Sequence, residues 1–361
     1  MSPETASVEA ADLEAARAAY AAGLYAQAHS AALAQWRVGS EGRGAAGRLA
    51  VHAAFRLGEY GAASEMLAAV MAETGLSATT QDRFDLLAVA VVVRGELADY
   101  AASIDALRQL HDHSARLASL TNHVRARGTA AVCLALLGDC WAALRLLAEA
   151  AEHLQSMPDA AALEATVRSN QASSCLQAAR LALQAGDGAA FDARLVDADA
   201  STARTCELAA QLGDARMAAF ADVHAAESAL LRGRAADALD LLQPALAQAR
   251  ASGLDGHVRR LMLLQAQAQL ACADAPAADA TLDQVLLSLH EGHDWSSRLE
   301  WFEQRHATRR ALGDMASALE ALQAWRALAS RRHARQLEAQ SRFLRLRLEL
   351  EHLYRQPWRS G

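Results

Sequence analysis

Lysine is absent: all 35 basic residues in the 361-residue chain are arginine, a bias read as base composition and given no functional weight. Proline occurs five times, so little interrupts a long helix, and aromatic residues make up only 5% of the chain. The longest purely apolar run, "LLAVAVVV" from Leu86 to Val93, falls far short of the roughly 20 residues that span a bilayer. The first residues, "MSPETASVEAADLEAA", are acidic and polar and lack the apolar stretch of a secretory signal. These absences point to a cytoplasmic protein with no membrane partner. The five cysteines, at 133, 140, 175, 206 and 272, form no CxxC pair and are odd in number. In a reducing compartment they are expected to be small buried apolar residues.

Alanine and leucine, by contrast, are abundant and supply most of a hydrophobic fraction of 53%. Both are strong helix formers, so the fold class is all-α. The length exceeds one compact core, and this composition favours a repeat array over two or three globular domains. The formal net charge of -7 argues against a nucleic-acid partner, which needs a basic surface to displace counterions. The charge is uneven: from Arg326 to Gly361 nine arginines face three glutamates, a basic end on an acidic body.

One phrase recurs. It reads "LGEYGAASEMLAAV", "LGDCWAALRLLAEA", "RGRAADALDLLQPAL" and "LGDMASALEALQAWRAL": a small corner residue, often an acid next, then Ala five and Leu nine positions on. With Gly23, Gly58, Gly138, Gly233, Ala273 and Gly313 as corners, the fifth positions are Ala28, Ala63, Ala143, Ala238, Ala278 and Ala318. The ninth are Ala32, Leu67, Leu147, Leu242, Leu282 and Leu322, and Gly95 and Gly186 mark two less regular corners. Steps of four and three residues put positions 5, 9 and 12 on one helix face. Gly before Asp or Glu is a helix stop beside a helix start: Gly takes the left-handed cap conformation and the acid favours the next N-terminus. The fifth-position alanine marks a close helix crossing. Seven residues before the corner a second small residue recurs (Ala16, Ala88, Ala131, Ala179, Ala226, Ala266), so small faces small across an antiparallel pair.

On these residues the chain resembles the tetratricopeptide repeat family, whose unit is a helix pair of about 34 residues. The resemblance covers roughly Ala11 to Ser330. It implies about eight helix pairs wound into a right-handed α-solenoid whose first helices line a concave wall, with function as binding in that groove. The corners lie 35, 37, 43, 48, 47, 40 and 40 residues apart, longer than the family unit, and the usual repeat-ending proline is mostly missing. Such departures suit the irregular arrays of bacterial signalling proteins. On this division residues 1–10 and 356–361 are disordered ends, 11–330 is the array, and 331–355 is a long C-terminal capping or connector helix.

The closing segment, "SRFLRLRLELEHLYRQPWRSG", alternates Leu with Arg and Glu as a strand would. It contains no β-branched residue from Phe343 to Tyr354, and its residue types are helical. A helix from about Ser317 or Arg331 to Tyr354 puts Phe343, Leu346, Leu350 and Leu353 on one seam and Leu344 and Leu348 on an adjacent stripe. One stripe caps the array; the other either does the same or forms a homodimer through a short coiled coil. The phrase "RQLEAQSRFLRLRLELEHLYR" also resembles the connector between tetratricopeptide sensory regions and GGDEF-type diguanylate cyclase domains. No GGDEF-like motif follows Tyr354, so cyclase activity is not expected; the resemblance implies a sensory input region or a stand-alone relative.

No catalytic constellation, metal set or cofactor motif stands out. "HEGHD" at 290–294 spaces its histidines three apart with Gly292 between them, unlike the helical metal motif, which needs four. His111, His113 and His123 do not share a helix face and read as a surface helix end. The glycines at 42, 44 and 47 do not follow a strand, which argues against a phosphate loop. Positions about 13, 10 and 6 residues before each corner should face inward. They supply Arg125, Arg180, Glu227, Arg260, Gln267, Glu300 and Glu303, with Asn122 and Asn170 in related register, as candidates to hold the backbone or carboxylates of a peptide or protein partner. Trp295, Trp301, Phe302 and Trp325 cluster in the last unit as core or as a docking surface. The function expected is a non-catalytic sensory or adaptor module.

Overall fold

The computed structural model describes the backbone over residues 3–38, 42–74, 79–289 and 295–354. Among the described residues it comprises sixteen α-helices and no strand. They are α1 (Pro3–Ala21), α2 (Tyr25–Val38), α3 (Arg43–Leu57), α4 (Tyr60–Thr74), α5 (Thr80–Glu96), α6 (Tyr100–Leu117), α7 (Leu120–Leu136) and α8 (Cys140–Leu154). There follow α9 (Ala161–Gln184), α10 (Gly188–Leu212), α11 (Ala215–Leu231), α12 (Ala235–Ala251), α13 (Asp255–Ala271), α14 (Ala275–Leu286), α15 (Trp295–Ala311) and α16 (Met315–Tyr354). They pack as eight successive pairs, α1 with α2 through α15 with α16.

Every pair turns on the same device. The corner residue has a positive φ, between 58° and 95°, at Gly23, Gly58, Ala98, Gly138, Gly186, Gly233, Ala273 and Gly313. Its N–H and that of the next residue then reach back to free carbonyls of the finished helix: Gly138 donates to Ala135 at 3.0 Å and Asp139 to Leu134 at 2.9 Å. That next residue also opens the following helix. The carboxylates of Asp99, Asp139, Asp187, Asp274 and Asp314 each accept the N–H three residues on, at 3.0 to 3.3 Å.

Gly95, read from the sequence as a corner, lies inside α5, and the turn comes three residues later at Ala98. A Cβ at Gly95 would meet Leu136 Cδ1 at 2.7 Å, so this glycine allows α5 and α7 to approach closely. With Ala98 in its place the corners fall 35, 40, 40, 48, 47, 40 and 40 residues apart, a 40-residue unit shortened between the first two corners and lengthened around the fifth pair. There α9 and α10, at 24 and 25 residues, exceed the 17-residue helices that follow by about two turns.

The close crossings are where the small residues put them. Ala28, Ala63, Ala143, Ala238 and Ala278 are wholly buried and Ala318 nearly so. At the Ala98 corner the equivalent is Ser103, whose hydroxyl donates to the Val91 carbonyl at 2.7 Å. Each odd-numbered helix also packs on the next odd one, from α1 on α3 to α13 on α15, so the first helices of the pairs form a continuous inner layer. The architecture is an α-solenoid.

Its two turns meet. The corner of the second pair lies against the entrance of the seventh: Gly256 is so close that a Cβ on it would sit 2.6 Å from the Leu57 carbonyl oxygen and 2.9 Å from Gly58 Cα. Beside it Arg259 donates to Glu59 at 3.4 Å. One pair earlier, Tyr25 packs onto the core of pairs six and seven. One pair later, Ser296 donates to Glu96 at 3.1 Å, and Trp295 packs onto the core of the first four pairs. Pair one thus meets pair six, two meets seven and three meets eight.

The last helix extends this seam. α16 is continuous through residue 330, so the expected break between array and tail at 331 falls inside one helix, which starts at Met315. Its distal half crosses to α6: Arg332 donates to the Tyr100 hydroxyl at 3.0 Å, Arg335 to the Leu97 carbonyl at 3.3 Å and Gln336 to the Leu136 carbonyl at 3.4 Å. Arg342 pairs with Asp105 at 3.0 Å, and Ala339 is buried in the core of the first pairs. Arg331 and Arg335 cover the Trp295 ring. Arg331, Arg332, Arg335 and Arg342 of the basic end therefore serve to dock the tail, Arg342 on an acidic partner and the others on Trp295, the Tyr100 hydroxyl and a backbone carbonyl. At the other end α1 reaches back over residues 3–10, placed outside the array by the sequence reading, and 356–361 lie outside the described residues. Cys133, Cys140 and Cys175 are buried as expected, whereas Cys206 and Cys272 are exposed, the latter because it caps α13 just before a corner.

Gly256→Ala forces a methyl into backbone of the facing turn and should cost about 1–3 kcal/mol in urea unfolding. X-ray scattering should show a larger radius, and an unchanged radius with unchanged stability would remove the seam from solution.

Candidate functional site

The inner wall is crossed by charges that pair with one another. From α9, α11, α13 and α15 come Arg180, Glu227, Arg260 and Glu300. Arg180 pairs with Glu227, Arg260 donates to Glu227 at 3.2 Å, and Arg260 also pairs with Glu300. The chain of contacts ties four inner helices together. Burial pushes the Glu227 carboxyl up, but the guanidiniums of Arg180 and Arg260 more than offset it and hold the group below its ordinary range.

A second set joins α3, α5 and α7. Arg125 pairs with Asp85 at 2.7 Å and donates to the Asn122 amide oxygen at 3.3 Å. Asn122 and Gln81 exchange side-chain hydrogen bonds at 2.7 and 3.3 Å, and Arg48 pairs with Asp82 at 3.5 Å. His52, half-buried on α3, is surrounded by Arg56, Arg125 and Arg48. Burial is the main cause that lowers its pKa to about 4; the arginines add to it and Asp85 opposes.

Of the sequence candidates, Asn122, Arg125, Arg180, Glu227, Arg260 and Glu300 enter these two networks. Gln267 and Glu303 are exposed and Asn170 is half-buried, and these three stay outside them. Gln81, Asp82, Asp85, Arg48 and His52 were missed. Asp85 stands 13 residues before Ala98, so the true corner would have selected it; Arg48 and His52 stand 10 and 6 before Gly58, in the register already used. Phe343, Leu346, Leu350 and Leu353 belong to α16, but their side chains lie outside the described residues. Leu337, Leu344 and Leu348 are exposed, at 53%, 50% and 69%, and form one stripe on that helix.

The aromatic cluster divides. Trp301 is buried and donates from Nε1 to the Leu282 carbonyl at 2.8 Å, while Trp295 receives the tail arginines. His123 meets His153 edge-on at 5.7 Å. Among the described residues no three His, Cys, Asp or Glu side chains are grouped to hold a metal; "HEGHD" lies outside them. No described helix is long and apolar enough to cross a membrane.

The architecture is that of a tetratricopeptide-like helical repeat. Among solved structures, a Rap protein complexed with Competence and Sporulation Factor superposes with a TM-score of 0.58 at 12% sequence identity, over 86% of this chain and 82% of that one. BtubC (BKLC) from P. vanneervenii reaches 0.45 at 17% identity, over 65% and 90%. The first likeness is one of fold. No family model matches the chain, nor does any curated protein.

Removing the shared carboxylate by Glu227→Gln leaves Arg180 without its partner and Arg260 with Glu300 alone, and should cost about 2 kcal/mol, below the range for fully buried pairs because Arg180 and Arg260 are partly exposed. A double-mutant cycle with Arg260→Ala should give a coupling of about 1 kcal/mol; additive effects would mean that the ladder is not formed.

Stability should also fall in acid. Burial is the main cause that lowers the pKa values of His52 and His224 to about 4 and of His257 to about 3, from an ordinary 6.5. As pH falls below 6.5 the unfolded chain takes up protons that the native state refuses until pH 3–4, so native stability is lost across that window. In urea titrations between pH 7 and pH 4.5 His257→Phe should flatten the slope, and an unchanged slope would place that imidazole in water.

Proposed function

We propose that the chain is a non-catalytic, cytoplasmic tetratricopeptide-type module of a bacterial signalling protein. It binds a peptide, protein or small ligand on its inner wall and relays occupancy through α16, without a cofactor. The observation that carries this reading is the single helix joining the last inner-wall pair, through the α15–α16 corner, to the far side of the superhelix at α6. A rearrangement of the Arg260–Glu300 rung can then move a contact at Tyr100. Support comes also from the Rap protein fold neighbour, whose solved structure is a complex with Competence and Sporulation Factor.

The stand-alone adaptor is the second reading, favoured by the extent to which the distal half of α16 is used for internal docking. In the signalling reading the exposed stripe of Leu337, Leu344 and Leu348 forms the homodimer, in the manner of connectors to GGDEF-type cyclases.

Peptide-display selection against the full chain should enrich a sequence family whose binding is reduced at least tenfold by the charge-introducing changes Gln267→Arg and Asn170→Arg. Enrichment insensitive to both would move binding off the inner wall. Light scattering separates the two readings of the tail: a dimer that Leu344→Glu with Leu348→Glu converts to a folded monomer favours relay, and a monomer at all concentrations favours the adaptor.

A further inference from the structure

Where the corners of the first two pairs meet the entrance of the sixth, the seam encloses positive charge that no ion pair of the inner-wall networks neutralises. Arg216, in the first turn of α11, is only 7% exposed. Its Nε–H has no partner and its guanidinium lies over the Phe220 ring at 5.3 Å. No ion pair to it occurs among the described residues. Arg56, in the last turn of α3, acts on it from across the seam and donates from Nε to the Tyr20 hydroxyl at 3.3 Å. Tyr25 and Tyr60 lie within electrostatic range of Arg216 as well.

Asp214 is the carboxylate that acts on both arginines, and it is engaged in capping α11, accepting the N–H groups of Arg216 and Met217 at 3.0 Å each. Arg259 nearby already has Glu59. Across Phe220 lies His257, 7% exposed, with both ring nitrogens unpartnered. Two guanidiniums and one carboxylate leave the cluster one negative charge short, in a place where an uncompensated buried charge is costly. Forked donors beside tyrosine hydroxyls match a planar carboxylate, and the deficit of one charge suits a monoanion.

We propose that the seam is a carboxylate site, in which Arg56 and Arg216 together hold one carboxylate, and that its occupant ties the first turn of the superhelix to the second. The carboxylate comes either from a free small acid or from the end of a peptide. The site shares no ion pair with the two inner-wall networks, although Arg56 also acts on His52 of the second, and it does not depend on a ligand in the groove.

Acetate is the probe, titrated into the full chain against chloride at equal ionic strength while thermal unfolding is followed. The expected result is a saturable rise in Tm that is lost in Arg216→Gln and in Arg56→Gln, and retained in Gln267→Arg. Trialanine with a free C-terminus, compared with its amidated form, separates the sources. A greater rise than acetate at equal concentration, absent with the amide, assigns the site to a peptide end; an equal or smaller rise assigns it to a free acid. Should Arg216→Gln fail to fold, Arg56→Gln, on a half-buried residue, carries the test. Absence of a saturable rise, or the same rise in the variant, overturns the proposal.

Discussion

A corner that finishes one helix and starts the next with a single pair of residues leaves the chain almost no freedom between them. The left-handed residue closes the finished helix, and its neighbour's N–H caps the same helix while its carboxylate, in five pairs, receives the first amides of the next. With the turn so constrained, the angle of six of the pairs is left to the close crossing at the fifth-position alanine, with Ser103 at that place in the third pair and Phe191 in the fifth. Eight repetitions of one corner accumulate into a superhelix, because each pair contacts its successor in the same way. Curvature follows from the inner helices packing on one another.

Much of this was legible because it is local. Turn chemistry and small-residue spacing are properties of a few consecutive residues, and they placed seven of the eight pairs. Gly95 misled because glycine has two uses: it permits a left-handed corner, and it lets helices approach. The corner itself is Ala98, which accepts the strained conformation while buried at 2% exposure; its context follows the recurrent phrase, with Asp99 next and Leu107 nine positions on, but Ser103 replaces the fifth-position alanine and Gly95 nearby drew the reading away. The groove candidates were found by counting back from corners, so the shift of three residues hid Asp85, the partner of Arg125. That these residues neutralise one another was not legible, since pairing depends on which rungs of adjacent helices face each other.

The seam was invisible to any reading of local pattern. Its contacts join residues about 200 positions apart, as between Glu59 and Arg259 or Glu96 and Ser296, and the residues involved are an unremarkable mixture of glycine, arginine and tyrosine. Only the curvature of the whole array decides that they meet. The basic tail was recognised as an electrostatic asymmetry, but its docking surface depends on the same closure.

Open solenoids lengthen or shorten freely, because a unit gained or lost disturbs only its two neighbours. Here every early corner is matched to an entrance five pairs further on, and Gly256 fits only against Gly58. Duplicating or deleting one pair between them would set each corner against the wrong entrance, and α16 would arrive beside a different helix. The count of units is thereby locked by contacts that no single unit contains, and a repeat protein becomes, in its inheritance, as indivisible as a globular one.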